Sequence, residues 1–599
     1  MYLNTVALLA AALVLTPVLA EKKVITSADQ LPRREYAIPK LPSELLTGPR
    51  AELDEAAAAV DKDLAADLDT LDIRDRATRT AMLQARAQYA VRRGDYKAAQ
   101  AFLRDIRGQQ EKAADKLVSG VTMENILEGR IQGGSPEAQR AKALALLNEK
   151  WNAMPWEVVG TNLKSVKSSF ELMSREVTIG AIKTNLDPAA KNLNLRVSGS
   201  MVTTIASVRN NFDLVLPMRD DLVASLQRLV DRNQVARVDV WSGRLVALPA
   251  NAFAKPVVVG IWDSGTDVAL FRAAKIPGIA FDREMNETQL LVRPMGAAAE
   301  RLPALKQYVK GSMDMQAAID SPDARALKQR VASLKQDEVK QFMEDLSAVG
   351  MWVHGTHVAG IAVEGNPFAE VTAVAMHWNH EARPDVPNEA RSMRVAAAYK
   401  AAVEHFRRTG TRVVNMSWRY GPSFYESALA YHNVGNTPED RKQISLRLFE
   451  IEKHALEEAI AGAPEILFVA GAGNEDNSAD FSLYIPAGLE LPNLITAGAV
   501  DQSGTETSFS TFGKTVVVHA NGFEVMSYVP GGEKVKLSGT SMASPNVANL
   551  AGKLFAMRPD LTVAQVKELI LRGADRNGRV NLINPKKSLE LAGVKAPQA

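Results

Sequence analysis

Three short stretches hold side chains that could do chemistry together: Asp263-Ser264-Gly265, His354-Gly355-Thr356-His357-Val358-Ala359-Gly360 and Gly539-Thr540-Ser541-Met542-Ala543-Ser544-Pro545. They offer a carboxylate, an imidazole and a hydroxyl. A serine hydroxyl is a weak nucleophile at neutral pH and needs a base within hydrogen-bond reach, itself oriented by a third group. On that reading Ser541 attacks, His354 moves the proton and Asp263 holds the imidazole. Asn474, in Gly471-Ala472-Gly473-Asn474-Glu475, adds an amide that can donate to an oxyanion beside the Ser541 N–H. Each fragment alone has a plainer reading. Asp-Ser-Gly and a glycine-flanked Asn are ordinary turn chemistry, and Gly-Thr-Ser can open any helix. His354 and His357 lie one helical turn apart, as a metal pair would, but the His-Glu-x-x-His of a zinc peptidase is absent.

The elements around these residues follow from pattern. Residues 256–262 are an unbroken apolar run ending at Asp263, which suits a parallel strand covered on both faces. It puts the carboxylate at the C-terminal end of a central strand, where open α/β sheets build their sites. Further strands are predicted at 412–417, 466–470 and 494–500, with a helix at 444–462 and another starting at or near Ser541. Such alternation implies an α/β parallel sheet. Thr562-Val563-Ala564-Gln565 is a capping-box pattern opening a last amphipathic helix. Upstream, residues 51–133 are rich in strong helix formers. Within them, 87–103 have the spacing of one helix-turn-helix unit with no second copy, which favours a plain helical hairpin. Residues 21–50, with Pro32, Pro39, Pro42 and Pro49, read as a linker or extended arm. Residues 192–207 look strand-like in part, 220–235 helical, and 237–241 alternate as a strand does.

Taken together, the stretches resemble the subtilisin-like (subtilase) serine peptidases from about residue 236 to the end. The order Asp, His, Ser is the subtilisin order. Val414-Asn415-Met416-Ser417 resembles the strand beside that family's specificity pocket, which takes substrate backbone by strand addition. Residues 493–501 and Phe509-Ser510-Thr511-Phe512-Gly513 match two further stretches, and the spacing from Asn474 to Ser541 (541 − 474 = 67) is close to the family's. The resemblance implies an α/β fold of three αβα layers with a mainly parallel sheet, preceded by a largely helical N-terminal region. It implies a serine endopeptidase with Asp263, His354 and Ser541 as the triad, acting through an acyl-enzyme. Asn474 and Ser541 would form the oxyanion hole, Ser417, Trp418 and Arg419 would bind substrate, and His357 would be structural. No cofactor is required on this reading, and the partner is a protein or peptide substrate. Exported members are commonly made as zymogens, so residues 21–235 are expected to be an inhibitory pro-region, a permanent helical domain, or both.

Three departures stand out. The acid-to-base gap (354 − 263 = 91) is long, and its excess, residues 283–350, reads as charged helical sequence forming a lid or a surface excursion. After Gly360 the chain is too short for the family's calcium loop, so that site is expected to be missing, while other oxygen-ligand calcium sites stay open. Trp418, Arg419 and Tyr420 follow Ser417 where relatives carry a glycine. A bulky cationic rim there predicts a preference for acidic residues near the scissile bond.

Composition bounds the rest. A chain of 599 residues implies more than one domain: 1–20, 21–235, and a peptidase domain at 236–599 with the 283–350 insertion. Lys plus Arg is 71 and Asp plus Glu 69, a balance that argues against a nucleic-acid binder. With no cysteine, disulfides, thiolate metal sites and a cysteine nucleophile are excluded. Residues 1–20 read as a signal peptide, with an apolar run from Val6 to Leu15 and a small-residue cleavage site at Val18-Leu19-Ala20, although the basic n-region is missing. The run is short for a membrane span, which needs about 20 apolar residues, and no later segment reads as one. Export to the periplasm, cell surface or medium is the expectation. Two rival functions are a non-hydrolytic binding protein on the same fold and acyl transfer to an acceptor other than water.

Overall fold

The computed structural model describes residues 22–233, 238–316 and 319–594; the signal expected at 1–20 lies outside the described residues. The apolar run before Asp263 forms the strand Val257–Asp263. Its side chains alternate between two cores: Val259 and Ile261 enter one, Trp262 the other. It sits inside a ten-stranded sheet. On one side of it lie Ala369–Met376, Ala273–Phe281 and the edge pair Glu287–Thr288. On the other lie Thr411–Met416, Leu467–Gly471, Leu494–Val500, Val516–Asn521, Val580–Leu582 and Asp575–Asn577. Within this sheet only the two edge pairings are antiparallel among the described residues. The chain fills one side and then crosses to the other with Thr411–Met416, so Asp263 ends the strand at which strand order reverses.

Helices cover both faces. Val339–Val363, Thr540–Met557 and Val563–Gly573 pack on one. Glu389–Arg408, Pro422–Tyr431 and Pro438–Ala461 pack on the other. The result is the three-layer αβα arrangement with a mainly parallel sheet. The capping box forms: the Thr562 hydroxyl accepts from the Gln565 N–H and the Gln565 side chain accepts from the Thr562 N–H. That helix is not the last, since Pro585–Leu591 follows.

The N-terminal region is a helical body with two cores of its own. The 87–103 hairpin is the turn between Arg76–Arg93 and Tyr96–Gly108. Gly94 takes the left-handed backbone (φ +77°) that ends the first helix, and the Asp95 carboxylate caps the second by accepting from the Ala98 N–H. Residues 22–50 are an arm, and it is docked. Lys23–Ile25 pairs with Leu71–Ile73, and Glu35–Ala37 with Arg196–Ser198. In 192–207 only Arg196–Ser198 is strand, because the Ser198 hydroxyl caps the helix Gly199–Leu214. The strand expected at 237–241 does not form over its described part. There the Asp239 carboxylate closes a turn on the Trp241 N–H, and the buried Trp241 indole donates to the Asp501 carbonyl.

The 283–350 segment is not a separate excursion. After Leu302–Gln316 and Pro322–Ser333 its last element is Val339–Val363, the helix that carries His354 and runs unbroken across the expected boundary at residue 350. This helix is long and apolar enough to cross a membrane, yet it is a core helix, with Val349, Val353, Val358 and Ile361 buried against the sheet. The N-terminal body grips its start. Gly180 lies so close that a Cβ there would sit 2.6 Å from Val339 and 2.8 Å from the Gln336 carbonyl.

Gly180→Ala tests that contact. In a free helix the change favours stability by up to about 1 kcal/mol. Here overpacking against Val339 should outweigh it and cost about 1–3 kcal/mol in a denaturant melt. Gly108→Ala, where a Cβ meets nothing within 4 Å, is the control and should be neutral or stabilising.

Candidate active site

Asp263 is 1% exposed at the end of its strand. Its Oδ1 accepts from the Ser264 N–H (2.7 Å) and His354 Nδ1 (2.7 Å), with the Ser264 hydroxyl oxygen 3.0 Å away. Because a carboxylate only accepts, Nδ1 carries the proton and the lone pair of the neutral ring sits on Nε2. Burial lowers the His354 pKa, but the charge of Asp263 and its hydrogen bond outweigh this and hold it above the ordinary histidine value. The other carboxylate oxygen is buried without a hydrogen-bond partner among the described residues, which adds to the preference for a cation at His354.

Glycines set this approach. A Cβ on Gly355 would lie 2.2 Å from the Gly265 carbonyl oxygen and 3.1 Å from the Asp263 Cβ. Only glycine lets the helix touch the turn that follows the acid. Thr356 then accepts from the Asp267 N–H (2.9 Å), and Ser264 donates to the Met351 carbonyl (2.6 Å). His357 points to the other side. Its Nε2 donates to the Val535 carbonyl (3.0 Å), and burial pushes its pKa down to about 4. It is a neutral strut between the helix and the Val525–Tyr528/Lys534–Leu537 hairpin.

Ser541 is the second residue of Thr540–Met557, so its N–H is among those with no intrahelical acceptor. The Ser541 hydroxyl donates to the Ser417 carbonyl (3.3 Å), and no hydrogen bond joins it to His354. The Ser417 hydroxyl bonds back to the Ser541 carbonyl (3.0 Å) and meets the Ser544 hydroxyl (3.0 Å). Asn474 is exposed, and its Oδ1 accepts from both the N–H (2.8 Å) and the hydroxyl (3.1 Å) of Thr540. A backbone N–H can only donate, so the amide orientation is fixed and Nδ2 is left as the free donor at the start of the serine helix.

The three residues expected at the substrate rim separate. Ser417 is buried beside the nucleophile. Trp418 turns inward, stacking on Tyr399 (5.7 Å) and Tyr420 (6.4 Å) and meeting Trp262 edge-on (5.5 Å). It follows the aromatic core of the second face. Arg419 lies over the Tyr484 ring (5.4 Å) and pairs with Glu475 (Nε to Oε2, 2.9 Å), the neighbour of Asn474. The rim therefore presents a compensated pair, where the sequence suggested a lone cation. One residue beside the acid gave no signal in the sequence. Arg293 is 7% exposed, and its backbone lies against Gly265. Its side chain bonds to the Met351 sulfur and the Trp378 carbonyl. Burial, reinforced by the Arg283 charge, lowers its pKa to about 10.

Two outcomes follow from this geometry. His354 can act as a base only when neutral, so an activity that uses it should rise with pH through a midpoint above 6.5, the ordinary histidine value. In Asp263→Asn the carboxylate charge is gone while burial still disfavours the cation, so the midpoint of the pH–rate profile should fall, with a rate loss on the order of 10⁴-fold. An unmoved midpoint would mean Asp263 does not raise the histidine. Glu475→Gln should free Arg419 and raise kcat/KM for substrates with an acidic side chain near the scissile bond by about two- to fivefold over neutral ones. An unchanged ratio would mean that Arg419 does not meet substrate.

Residues 254–593 match the sequence profile of the Subtilase family. The chain is 31% identical to Subtilisin DY of Bacillus licheniformis over 226 residues, 38% of this chain and 71% of that protein. It is 39% identical to Subtilisin E of Bacillus subtilis over 104 residues, 17% of this chain and 27% of that protein. Among solved structures, a cold adapted subtilisin-like serine proteinase aligns at 17% identity and a TM-score of 0.33, covering 57% of this chain and 94% of its own. With the profile spanning more than half of the chain, this protein belongs to the subtilase family of serine peptidases.

Proposed function

We propose that the chain is an exported serine endopeptidase that cleaves peptide bonds through an acyl-enzyme on Ser541. The observation that carries this reading is the 2.7 Å contact of Asp263 with His354 Nδ1, which leaves the Nε2 lone pair as a base. The Ser541 hydroxyl turns from the Ser417 carbonyl to Nε2 as substrate enters; such bonds are often loose until substrate is bound. Its oxygen attacks the peptide carbonyl carbon while His354 takes the proton. The oxyanion is held by Asn474 Nδ2 and the Ser541 N–H, with the helix N-terminus favouring the charge. Collapse breaks the C–N bond, and His354 gives its proton to the leaving amine. Water, deprotonated by His354, then attacks the Ser541 ester. The carboxylate product leaves and the hydroxyl is restored. Every proton and bond is handled by residues of the chain, so the reaction as written requires no cofactor.

Export rests on the pattern of residues 1–20, and the substrate is a protein or peptide. Residues 21–235 are an intramolecular partner of the peptidase unit. Their fate is read from the mature N-terminus: a start near residue 236 makes them an inhibitory pro-region and the chain a zymogen, and a start near residue 21 makes them a permanent part.

Both questions are met by one experiment. The purified exported protein is treated with a tagged fluorophosphonate beside Ser541→Ala, and the labelled peptide and mature N-terminus are mapped by mass spectrometry. Label at Ser541 that vanishes in the variant is expected. A processed, folded wild type that takes no label would overturn the reading in favour of a binding protein. Product transferred to added amines, with no hydrolysis, would replace the peptidase with a transferase.

A further inference from the structure

The loop that bears Asn474 is held from outside the peptidase unit. Lys112, in the turn after Tyr96–Gly108, is buried (8% exposed). Its ammonium donates to the carbonyls of Ser508 (2.7 Å) and Ser510 (3.2 Å) and pairs with the Asp476 carboxylate (2.7 Å). Arg76 reaches the same Asp476 oxygen (3.2 Å) and lies over the Phe512 ring (4.9 Å). Gln110 fixes Arg76 from behind (2.9 Å).

These contacts fall on two strips of chain that are already stitched together. The Asp476 N–H donates to the Phe509 carbonyl, the Thr511 N–H to the Gly473 carbonyl, and the Phe512 N–H to the Asn477 carbonyl. The Glu475 N–H donates to the Thr511 hydroxyl (3.3 Å). Asp476 is held at φ +48°, a left-handed backbone that aspartate takes more readily than most non-glycine residues. Two residues upstream, the Asn474 amide is set against Thr540. Lys112 is thus a third point fixing the loop, beside Thr540 and the 509–512 strip. The docked N-terminal body does not cover the site: Asn474 stays exposed and the His354 side chain is 27% exposed.

We infer that Lys112, through Asp476, is a positioning residue for the oxyanion donor Asn474, and that the N-terminal helical region is therefore a working part of the active enzyme. This rests on the hydrolytic reading above and goes beyond it. A pro-region is dispensable once removed, whereas a region that sets Asn474 is needed at every turnover. An amide misplaced by an ångström loses much of its effect on the transition state and little on ground-state binding, so the effect should appear in kcat.

The test compares full-length wild type, Lys112→Met, Asn474→Ala and the double variant on one peptide amide. Asn474→Ala should lose about 10²–10³-fold in kcat, the magnitude known for the corresponding donor in subtilisin. Lys112→Met should lose about 10–100-fold in kcat with KM within about twofold. In the Asn474→Ala background Lys112→Met should cost less than about twofold more, because it acts through Asn474. Asp476→Asn, which keeps shape and removes charge, should follow Lys112→Met and stands in for it if that variant fails to fold. Unchanged kcat in a folded variant would overturn the inference while leaving the peptidase reading intact. So would a full, additive loss on top of Asn474→Ala, or a fully active enzyme whose mature N-terminus lies beyond residue 112. A wild type that hydrolyses nothing would take down the peptidase reading and this inference with it.

Discussion

The site depends on one close approach, that of the Val339–Val363 helix to the Gly265 carbonyl. Because residue 355 has no side chain, the helix rests directly on the turn that follows Asp263. The imidazole of the preceding residue is then within hydrogen-bond distance of the acid. A methyl group at 355 would force the two elements apart, and the electrostatic balance at His354 depends on that distance. Burial alone would leave His354 a weaker base; the adjacent carboxylate reverses the direction. A packing constraint on a glycine therefore sets the basicity of a neighbouring residue.

That helix also ties the parts of the molecule together. Its first turns belong to what the sequence presents as an insertion, and its last turns carry the histidine motif. The N-terminal body packs on its start through Gly180, and through Leu172 and Val177, which join the cluster of Leu327 and Val331. At the opposite end of the site the same body reaches Asp476, and Ile25 of its arm packs with Ile73 on Phe481. His354 and Asn474, supplied by different elements, are thus braced by one body. With no cysteine in the chain, this bracing relies on packing, hydrogen bonds and ion pairs.

The candidate site was legible in the sequence because its motifs are local. Asp-Ser-Gly after an apolar run, the His-Gly-Thr-His motif and Gly-Thr-Ser at a helix start each mark a residue type and the backbone it needs. The strand ending at Asp263, the helix opening beside Ser541 and the capping box at Thr562 follow from propensity and periodicity within a few residues. What the sequence could not show depends on distant partners. Alternation at 237–241 looks like a strand, but Trp241 is buried through a tryptophan-to-carbonyl bond 260 residues away in the chain. Arg419 reads as a free cation until Glu475, 56 residues on, is found beside it. Prolines at 32–49 read as a loose arm, yet Leu45 and Leu46 are buried in the N-terminal core. The 283–350 segment has helical composition, but nothing local says that its last helix continues into the active site.

The charged node at Lys112 illustrates how such distant contacts are to be weighed. Taking an ammonium and a carboxylate out of water costs several kcal/mol each, and their attraction often does no more than offset it. A well-packed apolar pair of the same volume would serve stability as well or better. Removing one partner of a fully buried pair costs about 3–5 kcal/mol, but Asp476 is 27% exposed and keeps Arg76, so losing Lys112 strands no charge and costs less. The geometry also argues for direction over adhesion. The ammonium takes two carbonyls and a carboxylate from two strips of chain, an arrangement an apolar contact, being non-directional, could not specify. An ion pair that is costly as glue but selective for one loop conformation suits the task proposed for this loop, holding a single amide N–H in place.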